Sequence, residues 1–152
     1  TGEPPPLIER LGRVEAFFRH HYAAPLLRRL GLVPGQPDDA RDWALKDAID
    51  DALIATQWSI DRFFFDAFSG ELPQGYGPEW DKVRAALAGY APAPGGRAHP
   101  YFSDPEPCSM LIDEVEAIWS AIDRDDDWEP FNTKVAAIRR LGTALSGQTG
   151  HR

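Results

Sequence analysis

Apolar residues in this chain recur at steps of three and four, and no stretch alternates apolar with polar as a half-buried strand does. That period restricts the chain to helices that each bury one stripe. Proline and glycine then cut it into pieces. The first segment, 6–31, carries Leu7, Leu11, Val14, Phe18 and Tyr22 as its stripe. Pro25 lacks an amide hydrogen and its ring crowds the previous turn, so a kink or restart is expected there. Gly31 is a suitable stop. A second helix, 39–57, is capped by Asp38 or Asp39 and turns Trp43, Ala48 or Ile49, Ala52, Leu53 and Thr56 inward. A third, 59–69, uses Ile60, Phe63, Phe64, Ala67 and Phe68 before Gly70, and a fourth, 79–90, uses Trp80, Val83, Leu87 and Tyr90.

The fifth helix is expected over 107–122, with Cys108, Leu111, Val115, Ile118 and Ile122 inward and Ile112 and Trp119 alongside. A sixth, 129–145, presents Phe131, Val135, Ile138, Leu141 and Leu145. Between the fourth and fifth, 91–107 carries five prolines and a Gly-Gly. Loops of that length are uncommon in compact domains, and Tyr101 and Phe102 in its middle imply that burial pins part of it. The expected fold is all-α: one domain, 1–152, an irregular bundle of five or six helices with a long proline-rich loop.

A length of 152 residues, 43% of them hydrophobic, suffices for a real core. A formal charge of −8 argues against nucleic acid, because phosphate contacts need clustered lysine and arginine. The dense basic spots, Arg28–Arg29 and Arg139–Arg140, read as solvated helix ends. One cysteine makes no internal disulfide. No apolar run approaches the roughly 18–20 residues that span a bilayer, and the N-terminus has no charged-then-apolar signal pattern. Cytoplasm is the default location, with no membrane partner. The chain begins at Thr1 without a methionine, which suits a piece of a longer protein.

Three consecutive phenylalanines, Phe63 to Phe65, cannot share one helix face. Phe65 must meet a second packing surface, inside this domain or on another body. Phe64, Phe65, Phe68, Tyr101 and Phe102 are therefore the candidate interface. The only cysteine offers a rival site. With Pro107 at the first helical position, Cys108 would sit in a first turn, where free amides favour a thiolate, and His99 could return to pair with it. Against this, Asp104, Glu106, Asp113 and Glu114 are close in sequence and negative charge raises a thiol's pKa. The plainer reading is a small apolar residue seating its helix.

Other motifs fail on spacing. The acidic run from Asp123 supplies Asp125 and Asp127 at calcium-loop positions, but Trp128 replaces the glycine and Lys134 the bidentate glutamate. Its aspartates read as caps for the last helix. Glu114 and Glu116 lack a Glu-x-x-His partner, and His20 and His21 point about 100° apart on a helix. "LPQGYGPEW" has no Gly-Lys-Ser/Thr and no preceding strand. The residues supply no catalytic, cofactor or metal set, which leaves a binding or scaffolding domain.

Two stretches resemble a known family. "HYAAPLLRRLGL" (21–32) followed by "ALIATQWSIDRFFFDAFSG" (52–70) resembles the helical region after the kinase-like core of the selenoprotein O family. "HPYFSDPEPCSMLIDEVEAIW" (99–119) with "DDWEPFNTKVAAIRRLG" (126–142) resembles the C-terminal region of some bacterial relatives. The resemblance implies a parent protein that transfers AMP from ATP to protein hydroxyls, using magnesium on a pseudokinase fold. The family's nucleotide-binding lysines, metal-binding Asn and Asp and catalytic Asp lie upstream and have no matching position here. ATP and magnesium thus belong to the implied parent and none to this chain. The chain would be a non-catalytic accessory domain whose partner is the rest of its parent. The alternatives are a free-standing helical interaction module with a protein partner, and a small thiol enzyme using Cys108 and His99.

Overall fold

The computed structural model describes residues 7–34 and 40–146. Six α-helices follow in order: α1 Leu7–Arg29, α2 Ala40–Thr56, α3 Ile60–Asp66, α4 Asp81–Leu87, α5 Ile112–Asp125 and α6 Glu129–Ser146. A 3₁₀ turn, Pro78–Trp80, leads into α4, and two more, Gly96–Ala98 and Pro100–Ser103, lie in the proline-rich segment. Among the described residues there is no strand, only an isolated bridge between Leu32 and Pro92. The fold is all-α. None of the described helices is long and apolar enough to cross a membrane.

The main core gathers Leu27 of α1 and Leu30 just after it, Leu45, Ile49 and Ala52 of α2, Phe63 of α3, and Trp80, Val83 and Leu87 around α4. Phe63 stacks on Trp80 with ring centroids 5.0 Å apart, and Tyr76 meets Trp80 edge-on at 5.0 Å. Gly31 closes α1 at φ +67°, where a Cβ would come within 2.9 Å of the Phe68 ring. Glycine is the residue that permits both the turn and the ring's approach.

Several expectations need correction. α1 runs through Pro25 without a break. Pro25 is exposed, and the turn after it is anchored by the fully buried Leu27 and Leu30. The stripe proposed for α1 does not enter the core where it is described: Val14 and Tyr22 are exposed, and burial begins at Ala23. The side chains of Leu7, Leu11 and Phe18, and the caps Asp38 and Asp39, lie outside the described residues. Ile60 is exposed, because Phe63, Phe65 and Phe68 take the two packed faces around α3.

The largest shift is at α5, which starts at Ile112 rather than at Pro107. The amide of Cys108 donates to the hydroxyl of Tyr101 at 2.9 Å, and Lys134 Nζ donates to the carbonyl of Ser109 at 2.9 Å. Those distant partners hold 108–109 as a strap across α6 and the Pro100–Ser103 turn. The stripes expected inward on α5 and α6 are so only in part. Leu111, Ile112, Val115, Trp119, Phe131 and Ile138 are exposed, and Ile118, Ile122, Val135, Leu141 and Leu145 are half-buried.

Candidate functional site

α3 distributes its three phenylalanines to three places. Phe63 enters the main core, Phe65 faces a second apolar cluster, and Phe64 lies half-buried between two clefts. The second cluster joins Phe65 and Phe68 to Tyr101 and Phe102 from the 3₁₀ turn and to Ala144 of α6, with Cys108, Leu141 and Leu145 against it. Phe68 stacks on Phe102 at 4.0 Å, and Phe65 meets Tyr101 edge-on at 5.4 Å. Arg97 locks the arrangement. Its guanidinium donates to the carbonyls of Phe65 and Asp66 at the end of α3, at 2.8 and 3.1 Å, and lies 5.3 Å from the Phe102 ring.

Four of the five candidate interface aromatics, Phe65, Phe68, Tyr101 and Phe102, are therefore interior, covered by this chain's own turn and α6. With Phe64 and Cys108 they line one cleft of about 290 Å3, whose wall includes the Arg29–Asp61 ion pair at 2.9 Å. His99 does not join them. Its Nδ1 accepts from the Tyr101 amide at 3.1 Å, and it borders a different cleft beside Gly95, Thr143 and Ala144.

The Cys–His pair is thus not assembled, and Cys108 lies outside any helical first turn. Burial pushes the Tyr101 hydroxyl up, so it stays protonated near neutral pH and accepts the Cys108 amide hydrogen. The cleft has packing and an ion pair, and His99 is not among its lining residues. The acidic run after α5 closes a turn: Asp126 accepts from the Trp128 indole at 2.8 Å and Asp127 from the Glu129 amide at 3.0 Å. Among the described residues no cluster of three metal-ligating side chains occurs. The His21 ring lies 2.8 Å from the carbonyl of Phe17, and the side chain of His20 is outside the described residues.

Two buried carboxylates were missed by sequence reasoning. Asp66 accepts from Arg62 Nε at 2.8 Å and from the Tyr76 hydroxyl at 3.0 Å, while the Trp58 indole donates to Tyr76 at 3.0 Å. Burial first, and the bond to Asp66 second, push the Tyr76 hydroxyl well above its ordinary value. Asp42 accepts from Tyr90 at 2.7 Å. Both carboxylates have donors, so they tie loops to the core. An aspartate amid four aromatics in "FFFDAF" was the available signal for the first.

The surface most open to a partner is the α5–α6 hairpin. α5 buries no side chain fully and α6 only Ala144. Met110, Leu111, Ile112 and Val115 expose 41–68% of their surfaces, and Trp119 exposes 67%. Trp128, Phe131 and Ile138 expose 42–49%. Trp119, Trp128 and Phe131 together offer roughly 300 Å2 of aromatic surface to solvent. One polar clasp holds the hairpin to the rest of the fold, Arg140 to Asp104, while Lys134 ties α6 to α5 through Glu114.

Fold and surface define a class: an all-α domain with a closed aromatic core and an uncovered amphipathic hairpin. Comparison with family models, curated proteins and solved structures found no match.

Proposed function

We propose that this chain is a non-catalytic helical docking domain that binds another protein surface through the apolar face of α5 and α6. One observation carries the reading. α5 is amphipathic along its whole length, yet Ile112, Val115 and Trp119 are left in water. Helical stability in proteins comes mostly from burying such a face, so the hairpin is completed by something outside its own fold. In the form suggested by the resemblance to selenoprotein O, the domain accompanies a kinase-like core, and the AMP-transfer chemistry with ATP and magnesium belongs to that core.

Two experiments test this. The reading frame upstream of Thr1 decides the accompanying core: kinase-like sequence there supports it, and a start codon just before Thr1 leaves a free-standing module. A photo-crosslinking residue at Trp119 tests the docking itself in the intact gene product. A discrete protein adduct from Trp119 and none from the exposed Asp51 of α2 is the expected result. No adduct at Trp119 sinks the docking reading.

A further inference from the structure

A second uncovered face lies on α1. Val14 and Phe17, spaced as neighbours on one side of the helix, expose 65% and 66% of their surfaces. Residues 7–22 of α1 carry three arginines against two glutamates, a formal +1. Arg10 and Arg13 precede Val14 and Phe17 by four residues each, the spacing of helical neighbours.

The hairpin has the opposite sign. From Ile112 to Ser146 stand eight carboxylates against Arg124, Lys134, Arg139 and Arg140, a formal −4, and the five carboxylates and one arginine of α5 alone give the same −4. Some of this charge is used locally, by Glu114 on Lys134 and by Asp126 and Asp127 in the turn. Among the described residues Asp113, Glu116 and Asp123 make no ion pair. Asp113 suits the positive end of its own helix. Glu116 lies beyond that first turn, and Asp123 lies in the last turn, where a helix favours cations. On a helical wheel Ile112, Val115 and Trp119 fall within about 60°, and Asp123 and Glu116 follow along one edge within about 40° more.

We propose that the occupant of the α5–α6 face is α1 of a second copy of this chain, exchanged reciprocally to close a two-fold dimer. This rests on the docking reading above and names its partner. The two faces match in length: residues 7–22 of α1 span roughly 24 Å and the 14 residues of α5 roughly 21 Å. They also match in kind, an apolar stripe with arginines against an apolar stripe with carboxylates. Two α5 helices meeting each other would set a formal −4 against −4. An anionic membrane surface repels the same carboxylates, since surface-binding helices carry basic rims. Reciprocal exchange buries both uncovered faces twice and leaves no free end for open growth.

The test is the oligomeric state of the full chain by sedimentation at about 1–100 μM, spanning ordinary dimer affinities. A dimer is expected, weakening at least tenfold from low salt to about 0.5 M salt as the charged rim is screened. Glu116→Lys with Asp123→Lys should give monomers, as should Arg10→Glu with Arg13→Glu, and mixing the two variants should restore a dimer. A crosslinker at Trp119 should reach α1 of the other chain. A monomer throughout this range, larger open assemblies, or a dimer indifferent to both charge reversals overturns the proposal. So does a Trp119 adduct with α1 of the same chain. An adduct with a different protein overturns self-pairing and leaves docking intact, whereas no adduct removes both.

Discussion

The body around α2–α4 and the α5–α6 hairpin have the same three- and four-residue apolar rhythm and opposite fates. In the body, Leu27, Leu45, Phe63, Trp80 and Val83 are essentially inaccessible. In the hairpin only Ala144 is, and Trp119, the largest residue on α5, stands two-thirds in water. The body is closed by aromatic stacking. The hairpin is attached by a small apolar seam at Leu141, Ala144 and Leu145, and by the clasp of Arg140 on Asp104. An amphipathic pattern therefore reports that a helix needs a partner and leaves open whether that partner is in the same fold.

The sharpest way to break the contrast is to truncate a ring on each side. Phe63→Ala should cost about 3–5 kcal/mol, because it removes a stacked, inaccessible ring and leaves a cavity. Trp119→Ala should change the stability of the monomeric state by no more than about 0.5 kcal/mol, as for most surface substitutions. Chemical denaturation at a protein concentration too low for association measures both. A Trp119→Ala loss comparable to that of Phe63→Ala would mean that the hairpin face is covered within one chain.

The same contrast marks how far the sequence could be read. The all-α class followed from periodicity, and α2 and α6 lie within a residue or so of their expected bounds. The need for a second surface under Phe65 was legible, since three adjacent phenylalanines cannot share a face. That the surface would be Tyr101 and Phe102 was not, because a contact across 36 residues leaves no local trace. α5 begins later than the sequence suggests for a related reason. Pro107 is a good first helical residue, but the amide of Cys108 is captured by the Tyr101 hydroxyl. The Cys108–His99 pair depended on that misplaced turn and on a loop path that instead presents His99 to another cleft.

A smaller effect separates the two regions by pH. The Tyr76 hydroxyl bridges Trp58 and Asp66 in the body, and burial raises its pKa above the unfolded value of about 10. Burial also raises Tyr101 at the seam. A raised folded pKa means that the folded chain holds protons the unfolded chain has lost. This contribution is complete below about pH 10 and disappears as pH rises through the folded values. Unfolding midpoints should fall above that pH. Tyr76→Phe should cost about 1–3 kcal/mol at neutral pH, by removing one of the two donors to Asp66 and the acceptor of the Trp58 indole, and should flatten the alkaline decline. Midpoints measured from pH 8 to 11 check this. A decline as steep in Tyr76→Phe as in the parent would assign it to other groups.

The finest distinction lies at the seam itself. Cys108 is half-buried under α6, so a thiol reagent reaches it when the hairpin lifts, without the body unfolding. Arg140 is partly exposed and grips Asp104 with two donors. Exposed pairs of this kind contribute about 0.2–1 kcal/mol, so Arg140→Ala should speed Cys108 labelling by up to about fivefold. Amide exchange at Val83 and Leu87, deep in the body, should be unchanged, because their protection reflects global unfolding. If labelling and deep exchange accelerate together, hairpin and body open as one unit and the boundary drawn here does not exist. If only labelling accelerates, the hairpin is a separately hinged element, free to reorient when its apolar face meets a partner.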